Sequence, residues 1–173
     1  MQDRASSPER ALSVAIAHFS AIFAVINKLD GHMLQFRCCE KGYVAICAFG
    51  LPGRSHSDDT HRAVRAAIGI RDALASKGFG CFMGIATGKL LCATIGARGL
   101  HTEYTVFGNA INLSARLMVQ ARRGLGRLVC DDVTQARGAA GQRNCMSGWS
   151  DQVMSCRGVG KWGGAYATVP SSA

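Results

Sequence analysis

Asn112 and Arg116 are the two residues of this sequence best placed to act on a charged substrate. They stand four apart, so on an α-helix they share one face. Just upstream runs Glu103-Tyr104-Thr105-Val106-Phe107-Gly108, which reads as a short strand ending in a glycine turn. A helix beginning near Asn109 would bring its positive amino end close to that strand end, where phosphate is favoured. Arg116 would add a planar, permanently charged fork that fits phosphate oxygens. A lone surface arginine carries no such meaning; the ordered segment around this one does.

Other patterns fail on inspection. Gly84 to Lys89 has the look of a phosphate loop, but the pattern needs Gly at position 83 and Ser or Thr at 90, where Met and Leu stand. His56 and His61 flank Asp58 and Asp59, a metal-like grouping. These residues also open a helix, where acidic side chains cap and meet the positive dipole. No Gly-x-Ser-x-Gly element occurs, and no cysteine has a local histidine to activate it. The eight cysteines form no Cys-x-x-Cys pair, and several sit in apolar runs such as YVAICAF and KLLCATIG. They read as small buried residues of a reducing compartment.

The elements that must position Asn112 and Arg116 can be traced along the chain. Ser6 or Ser7, Pro8 and Glu9 signal a helix start. Leu12, Ile16, Phe19, Ile22, Phe23, Ile26 and Leu29 then recur at spacings of three and four, predicting an amphipathic helix of about five or six turns. Gly31 lies just past its end. HMLQFRCC and YVAICAF predict two strands joined by a turn at Glu40-Lys41-Gly42. After Gly50-Leu51-Pro52-Gly53, a helix opens at Ser57-Asp58-Asp59, with Val64, Ala67, Ile68, Arg71 and Leu74 on its inner face. Phe82–Ala86 and Leu90–Ile95 read as a second hairpin around Thr87-Gly88. A strand at Tyr104–Phe107, a helix from Asn109, a strand at Arg127–Cys130 and a short helix from Asp131 follow. Gly138 to Gly148 reads as irregular, and the tail as ending in a final strand or two. The alternation implies an α/β sandwich, with an antiparallel-rich sheet covered by helices.

Composition fits a single domain spanning residues 1–173, long enough to bury a core without staples. Hydrophobic residues make up 48% and charged residues 18%, which excludes a disordered chain. The first ten residues contain no apolar core of a secretory signal, and no apolar run reaches the roughly 18 residues of a membrane span. The expectation is a cytoplasmic chain without a transmembrane segment. The net charge of +9 is spread over single residues, with Arg122-Arg123 the only basic pair. An RNA-binding sheet would want exposed aromatics on adjacent strands. Only Phe36, Tyr43 and Phe49 are on offer, so no nucleic-acid partner is expected.

The stretch from Gly84 to Met118, GIATGKLLCATIGARGLHTEYTVFGNAINLSARLM, resembles the signature of the class III adenylate and guanylate cyclases. The carrying motifs are Thr87-Gly88, then Tyr104-Thr105-Val106-Phe107-Gly108, then Asn112 with Arg116. FGLPG at 49–53 and the HSDDTHRAVRAAIGI helix match the same family. Within it, the likeness is to the second catalytic domain of the soluble, bicarbonate-responsive adenylyl cyclases. It runs from about Leu12 to Val169, in the family's order and spacing. The resemblance implies a ferredoxin-like cyclase fold, apparently lacking its first strand, which would leave a gap in the sheet. It implies that Asn112 orients the ribose and Arg116 stabilises the phosphates. Thr105 and the backbone of Val106 would contact the base. Gln35 falls where adenylyl cyclases often place a base-reading lysine; Lys41 is the rival if the hairpin register shifts. ATP or GTP would be the substrate.

The family's two metal-binding carboxylates have no counterpart. One belongs to the strand not found here; the other falls at Cys39 or Tyr43, and neither is a hard oxygen ligand suited to Mg2+. No metal residue is therefore assigned. Mg2+ or Mn2+ would come from a metal-bearing partner cyclase domain, and this chain alone would be inactive. A regulatory pseudocyclase that binds nucleotide or a partner domain is the other reading.

Overall fold

The computed structural model describes residues 8–39, 42–97, 99–123, 128–140, 154–155 and 165–169. Helix α1 spans Pro8–Lys28, strand β1 His32–Cys39 and β2 Gly42–Ala48. Helix α2 spans Asp59–Ala75, β3 Phe82–Ile85, β4 Leu91–Ala97 and β5 His101–Phe107. Then come α3 (Asn109–Arg122), β6 (Leu128–Cys130), α4 (Asp132–Ala140), β7 (Met154–Ser155) and β8 (Ala165–Val169). The α/β character and the element types match the sequence reading. The Glu40-Lys41 turn and the stretch from 141 to 148 lie outside the described residues.

Six strands form the main sheet in the order β1-β2-β8-β3-β6-β7. β8 runs antiparallel to both of its neighbours, with Tyr43 opposite Val169 and Phe82 opposite Thr168. The expected gap in the sheet is therefore corrected: the C-terminal strand fills the slot between β2 and β3. An open slot would leave the facing N–H and C=O groups of both strands unpaired, which is the physical reason to fill it.

Period-two alternation sends neighbouring side chains to opposite faces. Met83 and Ile85 join Ile22, Ile26, Val64, Ile70 and Leu74 in a core beneath α1 and α2. Phe82 and Ala86 pack instead against Leu113, Leu117 and Ala121 of α3. Between them Gly84 lets α3 lie against the strand, since a Cβ there would strike the Ser114 carbonyl oxygen and Leu117. Phe36 and Tyr43 stack at 5.8 Å on the α1 side, with Tyr43 also against the buried His18, so they offer no exposed aromatic platform.

Three details differ from the sequence reading. α1 buries His18, Ala21, Ile22 and Ile26, whereas Leu12, Ile16, Phe19 and Phe23 of the expected apolar face are exposed. By length and composition alone, with 21 residues and an 18-residue window of mean hydropathy 1.6, α1 is apolar enough to cross a membrane; here Ala21, Ile22 and Ile26 pack it onto the core. At its end Asp30, not Gly31, adopts the left-handed backbone (φ 61°). Gly31 is required for space, because a Cβ would sit 2.5 Å from the Phe49 ring.

The third difference concerns β3 and β4, which do not form a hairpin. β4 pairs with β5 in a separate two-stranded ribbon, Leu91 opposite Phe107 and Ala97 opposite His101. The chain leaves β3 toward β6 because Asp131 Oδ1 accepts the Thr87 N–H at 3.3 Å, and the Thr87 and Thr134 hydroxyls share a hydrogen bond of 2.7 Å.

Candidate functional site

Helix α3 is what holds Asn112 and Arg116. It starts immediately after Gly108, whose backbone (φ 156°) lies against Lys89 and Leu90. The buried stripe Ala110, Leu113, Ser114, Leu117 and Ala121 fixes its rotation about the axis. Asn112 and Arg116 are consequently exposed on the opposite side, together. No acidic residue occurs from Asn109 to Arg123, while Arg116, Arg122 and Arg123 do, so this helix is uniformly cationic. Among the described residues no carboxylate pairs with Arg116. Its guanidinium borders an open depression of about 360 Å3 with Val119, Gln120 and Arg123.

The other expected residues meet at the base of the ribbon. Val106 is buried in a small cluster with Ala48 and Leu51, with Leu34, Cys92 and Ile111 packed around it. That cluster ties β5 to α3 through Ile111 and to β1 through Leu34, the neighbour of Gln35. Thr105 and Gln35 are both half-buried. The Val106 side chain is committed to packing, so only its backbone could reach a ligand. In a two-stranded ribbon each strand keeps one free backbone edge, and successive residues alternate between that edge and the partner strand. One of Thr105 and Val106 therefore presents its N–H and C=O outward. Lys41 lies outside the described residues.

Two positioning features escaped the sequence reading. Asp131 was visible as a helix-start residue, but its second bond to Thr87 joins residues 44 apart. Gly84 was visible as a strand glycine; the helix pressed against it was not.

No family model matches the chain. It is 30% identical over 135 residues to adenylate cyclase type 10 of Rattus norvegicus, covering 77% of this chain and 8% of that protein. It is 33% identical over 144 residues to an uncharacterized protein of Mycobacterium tuberculosis, covering 81% of this chain and 24% of the relative. The chain thus spans less than a quarter of the length of these curated relatives. Among solved structures, the guanylyl cyclase Cya2 superposes with a TM-score of 0.61 at 20% identity, covering 95% of this chain and 82% of that one. A bacterial light-regulated adenylyl cyclase gives a TM-score of 0.60 at 17% identity, covering 73% and 37%. The chain belongs to the class III nucleotide cyclase domain family.

This cyclase domain can be tested for the divalent cations its family implies. Cys39 is exposed, and its thiol donates to the Gly42 carbonyl at 3.4 Å. Tyr43 is buried, with its hydroxyl donating to the Ala11 carbonyl at 3.2 Å. A thiol and a committed phenol do not suit Mg2+, which wants free carboxylate oxygens in octahedral array. Among the described residues no group of three His, Cys, Asp or Glu side chains could hold a metal. The residues present do not fit the group. On the ribbon, a hydrogen bond with Cys92 is the main cause raising the Tyr104 phenol above its usual range, which favours its neutral form.

Proposed function

We propose that this domain supplies half of a nucleotide cyclase active site, acting on ATP, with GTP as the rival base, when paired with a metal-bearing cyclase domain. The observation that carries this reading is the exposure of Asn112 and Arg116 side by side on a cationic helix face, directly after the strand holding Thr105 and Val106. In this reading the ribose 3′ oxygen attacks the α-phosphorus and its proton leaves to solvent. A new P–O bond closes the ring as the bond to pyrophosphate breaks. Asn112 holds the ribose so that attack is in line, a positioning role. Arg116 takes the charge that builds on the phosphoryl oxygens. The outward backbone groups at Thr105 or Val106 read the base edge, with Gln35 or Lys41 from the β1–β2 side. Mg2+ or Mn2+ would be held by the partner domain.

A second reading, a regulatory pseudocyclase, draws on Cys39 and Tyr43 standing where a metal-binding carboxylate would be needed. One experiment separates the two. The domain is mixed with the metal-bearing half of a soluble adenylyl cyclase, and cyclic AMP and cyclic GMP are assayed, with Arg116→Ala in parallel. Product from the mixture alone, reduced about a hundredfold or more by Arg116→Ala, supports the half-site. A demonstrated heterodimer that makes no product supports the pseudocyclase.

A further inference from the structure

Arg123 shares a face of α3 with Asn112 and Arg116. Seven residues come within about 20° of two full turns, so Arg123 lies nearly in line with Arg116 and about 10 Å further along the axis. Both arginines line the same open depression of about 360 Å3, with Ala115, Val119 and Gln120. Helical side chains lean toward the amino end of their helix, which carries Arg123 back toward the space beside Arg116. We propose, resting on the half-site reading above, that Arg123 holds the β- and γ-phosphates of the nucleotide. The pyrophosphate leaving group is then gripped by this chain as well as by the metal of the partner domain.

The order of groups along this face matches the order of groups along a nucleotide. Thr105 and Val106 precede the helix and meet the base in that reading. Asn112 meets the ribose and Arg116 the α-phosphate. Arg123 is the next cation in line, where an extended nucleotide places its terminal phosphates. Arg122 sits about 100° round the helix from Arg123 and does not line the depression. As the ring closes, the bond from the α-phosphorus to the bridging oxygen breaks and its electron pair goes to pyrophosphate. The charge gained there meets a planar cation that can donate two hydrogen bonds.

Nothing nearby competes for these cations. No acidic residue occurs between Glu103 and Asp131. Arg62 and Arg71 pair with Asp58 and Asp72 at 2.8 Å, whereas among the described residues neither Arg116 nor Arg123 has a carboxylate partner. Both are exposed. A cation at the carboxyl end of a helix also offsets the negative end of its dipole, but that accounts for Arg122 as much as for Arg123. The same dipole disfavours phosphate at this end. That effect is confined to the last turn and screened by salt, and two guanidinium groups outweigh it.

The test compares Arg123→Ala with Arg122→Ala, which remove the same charge from adjacent positions on different faces. Inorganic tripolyphosphate is titrated onto this chain by calorimetry at constant ionic strength, with inorganic monophosphate as the second probe. Tripolyphosphate should bind more tightly than monophosphate. Arg123→Ala should weaken tripolyphosphate binding about tenfold or more, the value of one charge-assisted hydrogen bond. Arg122→Ala, with its charge screened by salt, should weaken it less than about twofold. In the complemented pair, Arg123→Ala should also lower kcat and relieve inhibition by pyrophosphate, with partial rescue by Arg123→Lys. Equal effects of the two alanine variants, no preference for tripolyphosphate, or no saturable binding would overturn the proposal. Product that is lost with Arg116→Ala but unchanged by Arg123→Ala would keep the half-site and overturn the role of Arg123. Tripolyphosphate binding with the expected dependence on Arg123, in a heterodimer that makes no product, would support the phosphate site and overturn the half-site reading.

Discussion

Gly84→Ala is the substitution that most directly links packing to the proposed chemistry. A Cβ at this position would lie 2.5 Å from the Met118 nitrogen and 2.9 Å from Leu117 Cβ, besides striking the Ser114 carbonyl. Ordinary contacts begin at 3.4 Å, so α3 must retreat by at least about 1 Å, and backbone cannot swing aside as a flexible side chain can. Overpacking of this kind costs about 1–3 kcal/mol, read as a lower urea midpoint at unchanged slope. The same 1 Å displaces Asn112 and Arg116, and a misplacement of that size can cost about a hundredfold in rate. Cyclic nucleotide formation with the complementing domain should therefore fall further than folding alone explains, in protein that is still folded at the assay temperature. Gly69→Ala is the contrast: it meets only a Val25 methyl at 3.1 Å and gains about 1 kcal/mol of helix propensity, so it should be neutral or stabilising. Wild-type stability and activity in Gly84→Ala would mean that α3 does not rest on β3 here.

Three further outcomes are expected. Asp131→Ala removes the acceptor shared by the Thr134 and Thr87 N–H groups and should lower stability by about 1–2 kcal/mol in urea unfolding. Deleting residues 165–173 takes away the strand paired to both β2 and β3, and should abolish cooperative unfolding by circular dichroism; a sharp transition in the truncated chain would contradict the strand order. Burial pushes the Cys47 thiol from 9.0 up to about 12. The unfolded chain then loses this proton first, so the contribution is complete below pH 9 and is lost as pH rises toward 12, at up to about 1.4 kcal/mol per pH unit. Cys47→Ala should flatten that alkaline slope, and iodoacetamide at pH 8 should modify the exposed Cys38 and Cys39 while sparing Cys47, Cys81 and Cys130.

Local signals were legible in the sequence, and relations between distant segments were not. Period and punctuation located α1, α2, α3 and the strands β1, β2 and β5 within a few residues. The FGLPG and Tyr-Thr-Val-x-Gly motifs, with Asn112 and Arg116, carried the family. The β3–β4 hairpin was misread because Thr87-Gly88 looks like a tight turn. What decides the chain's course there is Asp131, 44 residues on, and no local pattern encodes that bond. The outward turn of Leu12, Ile16, Phe19 and Phe23 has the same origin. Spacing shows that a helix has an apolar stripe, but which part meets the sheet depends on where β1 and α2 lie. The slot between β2 and β3 was read as a gap because the strand that fills it comes from the far end of the chain.

The dielectric around Arg116 bears on the half-site proposal as well. Two unit charges 4 Å apart attract by about 1 kcal/mol in bulk water and about 4 kcal/mol at the effective dielectric of a protein surface. On this domain alone Arg116 is exposed and sits nearer the first limit. Enclosing it would add about 3 kcal/mol toward a developing phosphoryl charge, which corresponds to between one hundred and two hundredfold in rate, roughly. Arg116 borders an open depression on α3. The ribbon beside it, however, leaves Leu91, Ile95, Tyr104 and Phe107 at least two-fifths exposed. Exposed apolar side chains grouped on one element mark a surface that another protein covers. A partner seated on that ribbon would exclude water from Thr105 and Arg116 in the same step that brings the metal. Leu91→Lys should then weaken partner binding and activity together, without lowering the stability of the isolated domain.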